Sequence, residues 1–184
     1  YYFNQIKFYK KDSNKKITID KMPLNIVHVG EIIRFFPNAK FILALRHPYD
    51  CVLSCFMQNF MLNHAMANFL DLNDSSKLYD LTMSLWKIYT KNFSINYQVI
   101  KYEDVISDFK KTIKDLLKFL NVSWSEDVSQ FYKTAEKRGI ISTPSYNQVN
   151  QPIYSNSMYR WKNYEKEFVN SKHLLDNWVK EFNY

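Results

Sequence analysis

The residues best suited to chemistry lie in one short stretch, Arg46-His47-Pro48-Tyr49-Asp50, with Ser54 following on. Arginine offers an always-charged planar fork that matches phosphate oxygens, and proline is at home in the first turn of a helix. A helix starting at Pro48 would present unpaired N–H groups and a partial positive charge to an anion. Ser54, on the second turn, could add its hydroxyl, and each charge-assisted hydrogen bond contributes about 1.5–3 kcal/mol. The stretch therefore reads as a phosphate socket. The same spacing also permits Arg46 to pair with Asp50 while Ser54 bonds backbone.

Lys21 follows a strand-like segment and precedes Pro23, so its ammonium could point into the same cleft. Tyr102 stands before Glu103 and Asp104. Taken alone, these two read as a surface lysine and a strand-end packing residue. His28 and the other three histidines read as core or surface residues. His47, Cys51 and Cys55 form an i, i+4, i+8 row, but on a helix its ends are about 12 Å apart. Zinc bonds are only about 2.0–2.3 Å long, so one ion cannot take all three, and no metal is expected. No H-E-x-x-H, no G-x-S-x-G and no Cys-His pair with recognisable context occurs, so the hydrolase motifs are absent.

The elements that must position these residues follow from periodicity. Residues 16–20 (KITID) alternate and read as a strand ending at Lys21-Met22-Pro23. Asn25 is expected to cap a helix through Val27, Ile32, Ile33, Phe35 and Phe36, stopped by Pro37. Residues 41–45 (FILAL) are a continuous apolar run, short enough for a strand buried on both faces. The uncharged run 51–70 carries Ser54, Gln58, Asn59, Asn63, His64 and Asn68, which makes it a poor membrane span and a better buried helical segment. Leu78, Leu81, Leu85, Ile88 and Tyr89 have helical spacing, and residues 97–102 (YQVIKY) read as another strand. Asp104 is expected to cap the next helix, whose apolar row is Phe109, Ile113, Leu116, Leu117 and Leu120. Strands alternating with helices predict an α/β fold with a parallel sheet, whose ligands sit beyond the carboxyl ends of the strands. Lys21, Arg46 and Tyr102 each close one of these strands.

Composition narrows the chemistry. The 184 residues are 46% hydrophobic and 23% charged, close to globular averages, and their number suits one domain over 1–184. Glycine is the outlier: at about 7% usage roughly 13 are expected, yet only Gly30 and Gly139 occur. Glycine-rich phosphate loops need glycines a few residues apart, so any phosphate here must be held by side chains and helix ends. The net charge of +7 favours anionic partners. No nucleic-acid recognition motif accompanies it, and the aromatics fall at core-like positions, so nucleic acid is not the expected partner. Two cysteines four apart point to a reducing compartment. Residues 139–159 carry no charge and are rich in Ser, Asn, Gln, Thr and Pro, with Arg160-Trp161 directly after. A loop of that length is usually functional or disordered.

Taken together, these segments resemble the sulfotransferases that use 3′-phosphoadenosine 5′-phosphosulfate (PAPS), nearest to the tyrosylprotein and bacterial repeat-linked branch. Asp20-Lys21-Met22-Pro23-Leu24-Asn25 resembles the family's D-K-x-P-x-N segment, and Phe36-Pro37-Asn38-Ala39-Lys40-Phe41-Ile42 its next strand approach. Arg46-His47-Pro48-Tyr49-Asp50 with Ser54 resembles R-x-P-x-D followed by serine, and Tyr102-Glu103-Asp104 the Y-E-D turn. Ser145-Tyr146-Asn147-Gln148-Val149, with Pro152, Tyr154, Arg160 and Trp161, resembles the late loop that closes over the cofactor, here 139–159. Gln58 stands where the tyrosylprotein branch has a further arginine.

The resemblance implies a P-loop-NTPase-like sulfotransferase fold, with a parallel sheet flanked by helices. It implies PAPS as donor, adenosine 3′,5′-bisphosphate (PAP) as product and a hydroxyl acceptor on protein tyrosine, carbohydrate or lipid. Arg46 and Ser54 would hold the 3′-phosphate, and Tyr102 would contact the adenosine side. Ser145, Tyr146, Asn147, Gln148, Val149, Pro152, Tyr154 and Arg160 would close over the nucleotide, with Lys21 and Ser145 in catalytic roles at the transition state. The family's 5′-phosphosulfate loop and acceptor base lie upstream of D-K-x-P-x-N. The sequence begins at Tyr1, so the expectation is a C-terminal portion of such an enzyme, inactive alone and prone to self-association through an uncovered sheet edge. A bacterial-type member would be cytoplasmic. The competing expectation is a module that binds a 3′-phosphorylated nucleotide without turnover.

Overall fold

The computed structural model describes residues 2–9, 17–133, 153 and 155–184. Helix α1 (Tyr2–Tyr9) precedes a 3-10 turn, Pro23–His28, that runs into α2 (Val29–Phe35). Strand β1 (Phe41–Leu45) leads to α3 (Pro48–Phe56), and a 3-10 turn, Met66–Leu70, leads to the long helix α4 (Leu72–Asn92). Strand β2 (Tyr97–Lys101) passes directly into α5 (Tyr102–Ser107), followed by α6 (Phe109–Leu120). Beyond a 3-10 turn, Glu126–Gln130, the described chain resumes with a 3-10 helix, Arg160–Phe168, and α7 (Lys172–Glu181).

β1 and β2 pair in parallel, Phe41 opposite Tyr97 and Leu45 opposite Lys101. A parallel pair needs a long crossover, and α3 and α4 supply it. The fold is mixed α/β with a small parallel sheet and helices packed on it, as the alternating pattern predicts. Leu43 and Leu45 of β1 are buried with Val29 and Trp86. A second cluster joins Tyr49, Val52 and Leu53 of α3 to Tyr79, Phe168, Leu175 and Trp178. Helix α4 contributes to both clusters, through Tyr79 and Trp86, and Met83 and Phe182 pack against both. Its start is fixed by Asp71, whose carboxylate accepts from the amides of Asn73 and Asp74 at 2.8 and 2.9 Å.

Five local expectations need correction. β1 is not buried on both faces: Leu43 and Leu45 face the core while Ile42 and Ala44 are exposed. Residues 17–20 form no strand; Ile17 and Ile19 are exposed, because no neighbouring strand covers them among the described residues. Asn25 is not a helix cap. The turn begins at Pro23, whose fixed φ starts the 3-10 helix three residues earlier than a cap at Asn25 would, and the Asn25 side-chain Nδ2 donates to Asp20 at 3.3 Å instead. The run 51–70 is not one buried helix, since α3 ends at Phe56 and Met61 and Leu62 are exposed. There the Asn63 side chain accepts from the amides of Ala65 and Met66 at 3.0 and 2.9 Å, offering the backbone a turn in place of a helix. Asp104 lies in the first turn of α5; Asp108 breaks the helical path and caps α6 by accepting from the Lys111 amide at 3.0 Å. α6 ends as Asn121 takes the left-handed conformation, with φ of 59°. Among the described residues no helix is long and apolar enough to cross a membrane.

Candidate nucleotide site at the strand ends

The parallel register sets the site. Because Leu45 pairs with Lys101, the next residue of each strand emerges side by side with the other. These are Arg46 and Tyr102, and the guanidinium carbon lies 5.0 Å from the centre of the tyrosine ring. Such stacking attracts the cation to the ring's negative face and holds the fork in one plane. The guanidinium also donates through Nη2 to the carbonyl of Ser157, while its buried Nε has no hydrogen-bond partner. An unmatched buried donor on a charged group is costly, so a bound anion has a ready contact there. The Arg46–Asp50 ion pair that the spacing permits does not form, because Asp50 is turned to a different partner.

That partner is the amide of Trp161, which donates to Asp50 Oδ1 at 2.8 Å. Asp50 is 1% exposed, and its Oδ2 is buried without a partner. The segment leading into Trp161 thus docks on the turn between β1 and α3. Tyr159 there adopts φ of 53°, a left-handed backbone uncommon for a tyrosine, and its ring meets His47 edge-on at 5.6 Å. Trp161 stacks on the His47 ring at 5.2 Å and on Tyr49 at 4.5 Å. His47 is buried, and burial lowers its pKa against the opposing pull of Asp50 and Glu103. It is a packing residue within a ring of aromatics, which fits the core reading of the histidines. His28 is of the surface kind, with Nδ1 2.6 Å from the Glu31 carboxylate.

The helix N-terminus is partly spoken for. Pro48 has no N–H to offer, and the His47 amide donates to the buried Glu103 carboxylate at 2.9 Å. A carboxylate therefore already faces the positive end of α3, so an anion here depends more on Arg46 than the helix-end argument predicts. Ser54 is exposed on the second turn of α3. Its neighbours Cys51 and Cys55 share that side of the helix, and the Arg46 charge reaches both. The Cys55 thiol is held down first by the hydrogen bond from Cys51 and then by Arg46, against burial.

Lys21 is exposed two residues ahead of the Pro23–His28 turn, and no hydrogen bond or ion pair joins it to Arg46, Ser54 or Tyr102. Arg160 is exposed at the head of its 3-10 helix, between two residues that pack on His47. Ser145, Tyr146, Asn147, Gln148, Val149, Pro152 and Tyr154 lie outside the described residues, as does most of 139–159. The structure thus brings together Arg46, Tyr102 and the approach to Arg160, while Ser54 is placed only on the exposed side of α3. Sequence reasoning missed Glu103 and Tyr184, which hold the two strand-end turns together. Glu103 sat inside a recognised motif, but nothing local linked it to His47, 56 residues away.

The profile of the sulfotransferase family matches residues 1–126, more than half of the chain. This chain belongs to the sulfotransferase family. A further similarity is to an uncharacterized protein of Aquifex aeolicus (strain VF5), 30% identical over 167 residues. Those residues are 90% of this chain and 21% of that relative, so the chain spans about a fifth of its length.

Proposed function

We propose that this chain carries the 3′-phosphate half of a nucleotide site, in a sulfotransferase that moves a sulfuryl group from PAPS to a hydroxyl on protein tyrosine, carbohydrate or lipid. The observation that carries this reading is the juxtaposition of Arg46 and Tyr102 at the carboxyl ends of adjacent parallel strands, where ligands of open α/β sheets bind. The residues present fit such a donor. Arg46 has a buried unpaired N–H, Ser54 adds a hydroxyl, and Tyr102 offers a flat face near the fork.

Sulfuryl transfer resembles phosphoryl transfer in asking the protein mainly for in-line positioning and charge stabilisation. PAPS supplies an activated sulfuryl group on a phosphate leaving group. In this reading Arg46 and Ser54 bind the 3′-phosphate and fix the nucleotide along the strand ends. Lys21 meets negative charge developing at the leaving phosphate, Ser145 assists it, and the segment containing Tyr146, Asn147, Gln148, Val149, Pro152, Tyr154 and Arg160 excludes water.

The test is calorimetric titration of adenosine 3′,5′-bisphosphate into the full chain, with AMP as the ligand lacking the 3′-phosphate. Binding that requires both Arg46 and the 3′-phosphate is expected. Equal binding of both nucleotides, or binding indifferent to Arg46→Ala, overturns the reading.

A further inference from the structure

Tyr184 reaches the site from the far end of the sequence. Helix α7 is anchored in the core by Leu175 and Trp178, and it ends in a tight reversal. Asn183 takes φ of 54°, its amide donates to the Lys180 carbonyl at 3.2 Å, and the Tyr184 amide donates to the Val179 carbonyl at 3.0 Å. This pair of bonds is the Schellman closure. It turns the chain back so that the Tyr184 hydroxyl donates to Glu103 Oε2 at 3.0 Å.

Glu103 is 7% exposed, and its other oxygen accepts from the His47 amide. Burying a carboxylate costs least when its oxygens are matched, and both oxygens of Glu103 are matched, so each partner fixes the orientation available to the other. The tyrosine ring is itself held on two sides, by the Lys101 ammonium 4.5 Å from its centre and by the His47 ring at 5.2 Å. Lys101 also donates to the carbonyls of Phe182 and Asn183. Burial first, and then the Glu103 charge, raise the pKa of the phenol, which stays a donor.

Building on the nucleotide reading above, we infer that Tyr184 is a positioning residue for the 3′-phosphate site: through Glu103 it fixes the His47 amide and so the direction in which Arg46 leaves β1. The hydroxyl acts at a distance, by tying the turn after β1 to the turn after β2. Its influence is exerted chiefly through Arg46, and so on the 3′-phosphate.

The experiment uses Tyr184→Phe, which removes one oxygen and keeps the ring between Lys101 and His47. Calorimetric titration of adenosine 3′,5′-bisphosphate and of AMP is combined with the amide spectrum of His47 in the ligand-free chain. The variant is expected to bind the bisphosphate about three- to tenfold more weakly, the scale of one lost hydrogen bond, with AMP affinity unchanged and the His47 amide resonance displaced. Glu103→Gln, which keeps the side-chain shape, is expected to shift the same ratio. Unchanged bisphosphate affinity, or equal weakening of both nucleotides, overturns the inference. Failure of the wild-type chain to prefer the bisphosphate overturns the nucleotide reading instead, and an undisplaced His47 amide then overturns the linkage itself.

Discussion

The buried Asp50 carboxylate and the amide of the half-buried Trp161, 111 residues apart in sequence, meet at 2.8 Å. One end of this bond belongs to the helix that follows Arg46, and the other to the helix headed by Arg160. It is the polar fastening of an otherwise aromatic contact, with Trp161 lying on His47 and Tyr49.

Asp50→Ala removes the acceptor and leaves the Trp161 N–H unmatched. A buried orphaned donor costs about 1–3 kcal/mol, and urea unfolding of the variant is expected to show a loss of that size. A change within error of zero refutes the fastening.

His47 gives the protein a pH dependence of known sign. Its folded pKa lies below the ordinary 6.5 because of burial, so the unfolded chain takes up the proton first. The contribution is complete above about pH 6.5 and is lost as the pH falls toward the folded value. Thermal unfolding between pH 8 and pH 5.5 is expected to show Tm falling on the acid side. His47→Phe, which keeps a ring in the stack, is expected to flatten that part of the curve.

Gly30 has a packing reason. A Cβ at this position would come within 2.9 Å of Cε1 of Tyr89, and that ring is pinned by its hydroxyl bonding to the Val27 carbonyl at 2.9 Å. Alanine gains about 1 kcal/mol of helix propensity, while overpacking costs about 1–3 kcal/mol. Gly30→Ala is expected to lower stability on balance, read as a lower urea midpoint; a raised midpoint shows that Tyr89 yields freely.

Lys21 is the sharpest test of the catalytic reading. By analogy with removal of a single oxyanion donor, Lys21→Ala in the complete enzyme is expected to lower kcat for PAPS-dependent sulfuryl transfer roughly 10²–10³-fold, with little effect on binding of the bisphosphate product. Unchanged turnover removes Lys21 from the mechanism.

Much of the scaffold was legible because its signals are local. The apolar run Phe41–Leu45 and Pro48 after it fixed one strand and the next helix start, and two strands separated by helical pattern implied a parallel pair. What failed was also local, but competitive. Asn63 and Asp108 use their side chains to draw the backbone out of helices that hydrophobic spacing alone would continue. At the site, Arg46 and Tyr102 were readable as strand-end residues, and their contact follows from the register. The roles of Glu103, Asp50 and Tyr184 were not readable. Each depends on a partner at least 56 residues away, and a burial that only the assembled core creates.

The matched strands carry one more implication. Arg46 and Tyr102 each follow a strand of five residues in strict pairing, so their meeting depends on counting as well as on position. A single-residue deletion in β1 would send its side chains to the opposite face and part the guanidinium from the ring, even with both motifs intact. Paired deletions, one in each strand, would restore the parity. Length variation in this sheet is therefore constrained two strands at a time.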